Sequence, residues 1–279
     1  LSLPWSEYQS APLQEKDGKK STYKPISQQN YQQHIGGLVQ AYNQGIAKQI
    51  AYTAARLEAQ LNVPLGSIDH AIRLAIACHD LGKLSIKWQH WAWEWQRALY
   101  KRMPSWPSYE QEETFFFAKT DYDSGCPIQR DLQRALPVKR PNHACESVAI
   151  SSAFITQCLG ITTPESPSLP LRRAICGAIA RHHTPQAKTY DTVQLKPGAL
   201  EAIREALDIA RQNQAWVYDP AQLRTVPIGG SVLIKKDGSS AHLTIPQRGT
   251  QSELETWLYF LIVRALRLAD QRADAFSTR

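Results

Sequence analysis

A chain of 279 residues, 43% hydrophobic and 20% charged, is long enough to bury a large core and too apolar to stay disordered. Lys plus Arg number 32 against 25 acids, a balance of +7, and the isoelectric point lies near 9.1. That excess favours a polyanionic partner such as nucleic acid without identifying one.

Residues 1–30 are polar, carry Lys16, Lys19, Lys20 and Lys24, and lack periodicity. They read as an extended, solvated arm rather than one that touches substrate. Helical spacing then sets in. Over 31–61 His34, Leu38, Ala41 and Gly45 share a face. Over 67–81 the stripe is Ile68, Ile72, Ala75, Ile76 and His79. A third helix, about 85–101, aligns Trp88, Trp91 and Trp95, a face that reads as core packing rather than a base-stacking platform. Residues 102–141, with Pro104, Pro107, Gly125, Pro127 and Pro137, read as an irregular insertion. Helices resume at about 143–159, 170–183 and 197–213. Near 224–246 the pattern becomes that of a β-hairpin, with Ser231–Lys236 and Ser239–Ile245 joined by a tight Asp237-Gly238 turn. A last helix runs from about 251 to 274. The expected architecture is an all-α helical bundle with a small hairpin insertion, divided into the arm 1–30 and a single domain 31–279.

The five cysteines, Cys78, Cys126, Cys145, Cys158 and Cys176, are odd in number and have no CxxC spacing. This argues against a disulfide framework or a thiolate zinc site and fits a reducing, cytoplasmic setting. No run approaches ~18 uninterrupted apolar residues, so no membrane span or membrane partner is expected, and no signal peptide is visible. The chain opens on Leu1 rather than Met, as a piece of a longer polypeptide or a processed chain would.

His79-Asp80, at the end of an apolar helix and followed by Leu81-Gly82-Lys83, is the most informative pair. It offers an imidazole and a carboxylate from adjacent positions, splayed by ~100° on a helix. His182 continues the stripe Ile175, Ala178 and Ile179, with His183 one step round and Thr184-Pro185 stopping the helix. Asp270 shares a face with Tyr259, Val263 and Leu266 on a helix apolar on two sides, so it points inward. A buried carboxylate without a partner costs several kcal/mol, a problem that a divalent cation removes. His143 follows Asn142, a candidate helix N-cap, and the positive helix end would keep its imidazole neutral. Taken alone, His34, His143 or Asp270 reads as a hydrogen-bonded core residue, cap or ion-pair partner; together with the two pairs they supply ligands for two metal ions. His70, His90 and His242 lack such context and read as surface or structural. Lys83 is a candidate catalytic group, able to contact phosphate or a leaving group, or else an ordinary helix-end cation. Ser147 and Arg181 are candidate substrate contacts beside His143 and His182, or else packing and solvated residues.

The series His34, His79-Asp80-Leu81-Gly82-Lys83, His143-Ala144-Cys145-Glu146-Ser147, Arg181-His182-His183 and Leu268-Ala269-Asp270 resembles the HD-domain nucleases of CRISPR-associated Cas3 proteins. Similar HD domains also open the Cas10-like subunit of type I-D systems. The resemblance implies an HD-domain helical bundle and two ions. One would be held by His34, His79, Asp80 and Asp270, the other by Asp80, His143, His182 and His183, with Asp80 bridging and catalytic. It also implies partners: single-stranded DNA, a Cas3-type helicase and a Cascade-like CRISPR effector complex. There is no phosphate loop of the G-x-x-x-x-G-K-[ST] kind, so the helicase would lie elsewhere.

Mixed imidazole and carboxylate ligands suit Mn, Ni, Co or Fe, and also Zn, better than Mg or Ca. Two ions ~3.5–4 Å apart would activate a shared water for in-line attack on phosphorus. The expected reaction is hydrolysis of phosphodiester bonds in single-stranded DNA during antiviral CRISPR interference, because a flexible strand threads into a deep histidine-lined pocket where a duplex does not. Endo- and exonucleolytic cutting stay open. Two other readings stand beside it: an HD phosphohydrolase acting on nucleotides, and a non-catalytic interaction domain with a vestigial metal site.

Overall fold

The computed structural model describes residues 29–102, 115–120, 126–184, 189–190, 192–212, 216, 223, 230–231 and 252–273. Helix α1 (Tyr31–Ala41) starts on a capping box: the Asn30 side chain accepts from Gln33 N (2.8 Å) and the Gln33 carboxamide accepts from Asn30 N (3.1 Å). A π-helical turn, Tyr42–Ile46, carries the rod on into α2 (Ala47–Leu61), so the helix expected over 31–61 is continuous but holds one wide turn. The buried carboxylate of Glu58 near the end of α2 accepts from Gly66 N (3.1 Å) and Ile68 N (2.7 Å). It thereby caps α3 (Ser67–Cys78), where orphan amides and the helix dipole favour negative charge.

α3 is the central rod. Ile68, Ala71, Ile72 and every residue from Leu74 to Cys78 are buried, because α3 packs against α6 (Ala144–Cys158), α7 (Leu169–Arg181), α8 (Ala199–Arg211) and α9 (Glu253–Ala273). α9 in turn lies across α1 and α7. Its buried side carries Leu258, Ile262, Ala265, Leu266, Ala269 and Ala273. The architecture is all-α, as the periodicity indicated. Among the described residues no helix is long and apolar enough to cross a membrane.

A second core forms on α4 (Ile86–Arg102), where Trp88, Trp91 and Trp95 pack with Phe117, Leu132 and Leu136. The tryptophan face is therefore interior, as expected. Part of the 102–141 insertion is more regular than its proline content suggested. Strand β2 (Phe117–Lys119) pairs antiparallel with β1 (Gln29–Asn30), and α5 (Pro127–Ala135) starts with Pro127 in its first turn. Gln29 and Asn30 thus belong to the fold rather than to the arm, whose residues 1–28 lie outside the described set. Of the hairpin expected near 224–246, the described strand is β4 (Gly230–Ser231), which pairs antiparallel with β3 (Thr189–Tyr190); the rest lies outside the described residues.

Candidate metal centre

His79 closes α3, its N–H still bonded to Ala75 O, and Asp80 leaves the helix at φ −112° and ψ 11°. The chain then tightens into a 3-10 turn, Leu81–Leu84. Gly82 is required there by close approach: a Cβ would overlap the His143 carbonyl oxygen and lie 2.9 Å from Glu146 Cβ. The Ser147 hydroxyl fastens the contact, accepting from Gly82 N (2.8 Å) and donating to His143 O (2.7 Å). The sequence thus welds the His-Asp turn to the start of α6.

This weld joins His79-Asp80 to His143, and α1, α7 and α9 bring His34, His182, His183 and Asp270 to the same place. Asp80 is buried and presents one oxygen to each side. Its Oδ2 lies 3.1 Å from His34 Nε2 and 3.1 Å from His79 Nε2. Its Oδ1 lies 3.2 Å from His143 Nε2 and 3.7 Å from His182 Nε2. Asp270 Oδ1 stands 3.6 Å from His34 Nε2, and His143 Nε2 faces His183 Nε2 at 2.9 Å. Donor atoms of Asp80, His143, His182 and His183 lie within 4.8 Å of one another, and so do those of His34, His79 and Asp270. The far ring nitrogens are held by acceptors: His79 Nδ1 by Ile76 O (2.8 Å), His182 Nδ1 by Ile179 O (2.6 Å) and His34 Nδ1 by Gln29 Oε1 (3.2 Å). A carbonyl only accepts, so Nδ1 of His79 and His182 carries the proton and the Nε2 lone pair points inward, the arrangement that orients metal-binding imidazoles.

The electrostatics follow from burial around one carboxylate. Burial lowers the pKa of His34 and of His182, brings His143 down to about 3 and His183 to about 4. These four are neutral, the form that donates to a metal. Burial also works against a charged His79, but the Asp80 carboxylate outweighs it and raises the pKa. Burial opposes the anionic form of Asp80 as well, yet His79 and Lys83, with the His143 and His34 imidazoles beside it, hold its carboxyl well below the usual range. Asp270 is held low by His79 and His34 against the same opposition.

The donors fit divalent cations. His79 Nε2, His182 Nε2 and Asp80 Oδ1 are buried without an aligned hydrogen-bond partner. Each such group costs ~1–3 kcal/mol if left unmatched. Five imidazoles and two carboxylates, in two neighbouring groups, form a donor set able to hold a metal ion.

The remaining expected residues fall out differently. Lys83 is buried, with its ammonium 2.7 Å from Asp80 Oδ2 and donating to Ala118 O (2.8 Å). It holds the carboxylate rather than reaching outward to phosphate or a leaving group. Ser147 is fully buried with its hydroxyl committed to Gly82 and His143; the suggested substrate contact gives way to a positioning role. Arg181 places its guanidinium 5.8 Å over the Tyr259 ring. The N-cap of α6 is His143 itself rather than Asn142, and its imidazole turns to Asp80 instead of capping the helix. His70 stacks on Trp216 and His90 is exposed, as expected of residues outside the site; His242 lies outside the described residues. Three supports escaped the sequence: Gln29, behind His34; Ala118, whose carbonyl receives Lys83; and Gln89, whose carboxamide donates to Lys83 O and Phe117 O and accepts from Phe117 N.

A helical fold that gathers histidines and carboxylates around an adjacent His-Asp pair defines an HD-type metal-dependent hydrolase. The chain belongs to the Cas3 HD-domain family, whose model, described as Cas3, HD domain, matches residues 32–233. Membership points to a metal-dependent nuclease. Asp270 enters the site from beyond the matched stretch. No curated protein and no solved structure matches the chain.

Proposed function

We propose that residues 31–279 form a single HD nuclease domain that hydrolyses phosphodiester bonds of single-stranded DNA in CRISPR interference, working with a Cas3-type helicase and a Cascade-like effector complex. The observation that carries this reading is the two-faced Asp80, with His34 and His79 at one oxygen and His143 and His182 at the other. His34, His79, Asp80 and Asp270 would hold one ion, and Asp80, His143, His182 and His183 the other. Bound divalent cations, Mn, Ni, Co or Fe in preference to Mg, supply an acidified water and neutralise charge developing on phosphate oxygens. Lys83 keeps Asp80 ionised and aimed; Ser147 and Gly82 hold His143 in register. The +7 balance of the chain favours binding of a polyanion.

The test is Mn-dependent cleavage of single-stranded DNA by the purified chain, with Asp80→Ala and His79→Ala as controls. Cleavage lost in both variants supports the reading, whereas metal-loaded protein that leaves such DNA intact removes it. A cavity of about 350 Å³ beside His143 and His183 is large enough for a mononucleotide. Turnover on a nucleotide panel without DNA cleavage would therefore favour the nucleotide phosphohydrolase.

A further inference from the structure

The cavity beside His143 and His183 does not end at the metal centre. Arg140, Pro141 and Asn142 line it and also line a second cavity, of about 400 Å³, bounded by Ser85 and Lys87 at the start of α4 and by Thr192 and Val193. Backbone bonds tie the segments on two sides of the second to each other. Ile86 N donates to Gln194 O (2.8 Å) and Lys196 N to Leu84 O (2.9 Å), while Ser85 bridges Leu195. Its described rim is basic. Lys87, Lys139 and Arg140 are exposed there, against one acid, the buried Glu146. Two of the three cations are held in place: Lys139 Nζ donates to Arg134 O and Leu136 O at the end of α5, and Arg140 lies 5.3 Å over the Trp91 ring.

We propose that these two cavities form one trough that grips the sugar-phosphate backbone of a single nucleic-acid strand on one side of the bond to be cut. The proposal rests on the nuclease reading above and names the track by which a strand reaches the metals. The contacts are to phosphate and not to bases. The described lining offers cations, an amide, hydroxyls and the His143 and His183 imidazoles, with Glu146 its one carboxylate, and the nearest tryptophan, Trp91, is buried beneath Arg140 rather than open for stacking. Affinity in the trough is therefore electrostatic, steep in salt and indifferent to base identity. Stacking on aromatic side chains would instead make affinity depend on the presence of a base, and the exposed Trp257 and Phe260 on α9 provide a surface where it would occur.

The experiment measures fluorescence anisotropy of the full, metal-loaded chain with a phosphorothioate-linked oligothymidine, which keeps its charge and resists cleavage, and with an abasic strand of the same backbone. Lys87→Glu and Arg140→Glu are each expected to weaken both strands about five- to tenfold. The double variant is expected to flatten the log–log salt slope by about 1.4, which is ~0.7 for each phosphate left without its cation. Melting temperature checks that the variants are folded, and Lys87, exposed on α4, is the variant least able to disturb the core. Folded variants with unchanged affinity and slope overturn the trough. So does an abasic strand that binds more than tenfold worse than oligothymidine, which would move binding to a stacking surface. Hydrolysis of bis(4-nitrophenyl) phosphate by the wild-type chain separates the two levels. Hydrolysis without strand binding overturns the trough alone, while strand binding without hydrolysis of this diester or of DNA overturns the nuclease reading and leaves the trough standing.

Discussion

The smallest residue near the centre carries one of the strictest demands. Gly82 lets the His-Asp turn touch the start of α6, and a methyl group there meets backbone and a Cβ, neither of which can swing aside. Gly82→Ala must push the 81–84 turn and His143 apart, an overpacking cost of ~1–3 kcal/mol. The expected outcome is a melting temperature lower by several degrees and weaker retention of the metal on the His143, His182 and His183 side, measured by metal analysis after graded chelation. Retention of both metals with unchanged melting would show that the weld does not position His143. The requirement was half legible. A glycine between His79-Asp80 and Lys83 can be seen in the sequence, but the carbonyl it accommodates lies about sixty residues away, at His143. Ser147 shows the same limit: its spacing from His143 was readable, its bond to Gly82 N was not.

At the scale of elements, local periodicity located the helices because a core-facing stripe is a property of neighbouring residues. α3 and α7 end on His79 and His182 at the positions their stripes implied. What periodicity missed was the brace. Gln89 sits among the α4 tryptophans and looks like one more polar position on that helix, yet its carboxamide bonds both the Lys83 carbonyl and the backbone of Phe117. Ala118, next along β2, accepts from the ammonium that holds Asp80. The proline-bearing insertion therefore supplies a strand that steadies the lysine. The π-turn at 42–46 was likewise invisible, since no local spacing marks it. Gln89→Ala leaves buried backbone groups unmatched, at ~1–3 kcal/mol each. It is expected to lower the melting temperature and, by loosening Lys83, to reduce the rate of phosphodiester hydrolysis more than KM. A variant that melts lower but retains full kcat would confine Gln89 to stability.

For the molecule as a whole, gathering four neutral imidazoles at one site, three of them buried and His183 exposed, has a consequence in acid. His34, His143, His182 and His183 have folded pKa values below the ordinary histidine value, about 3 for His143 and about 4 for His183. The unfolded chain therefore binds protons at these positions near pH 6.5 while the folded chain refuses them. Their contribution to stability is full above that pH and is lost as pH falls toward the folded values, about 3 for His143 and about 4 for His183. His79, whose folded pKa is raised, works the other way: it stabilises below the ordinary histidine range and loses that contribution as pH rises through its folded value. The large depressions at His143 and His183 set the sign of the balance. Asp80 and Asp270, held low, add their own loss only as pH falls below the ordinary carboxylate range. The metal-free protein should thus melt at a lower temperature at pH 5 than at pH 7. Metal at one hundred times its dissociation constant at pH 7 should add ~2.7 kcal/mol by mass action. Differential scanning fluorimetry across pH 4.5–8, with and without Mn, reads both effects. Metal-free melting that stays flat or rises toward acid would mean that these imidazoles are not buried around a common carboxylate, and that the two ligand sets do not form in solution.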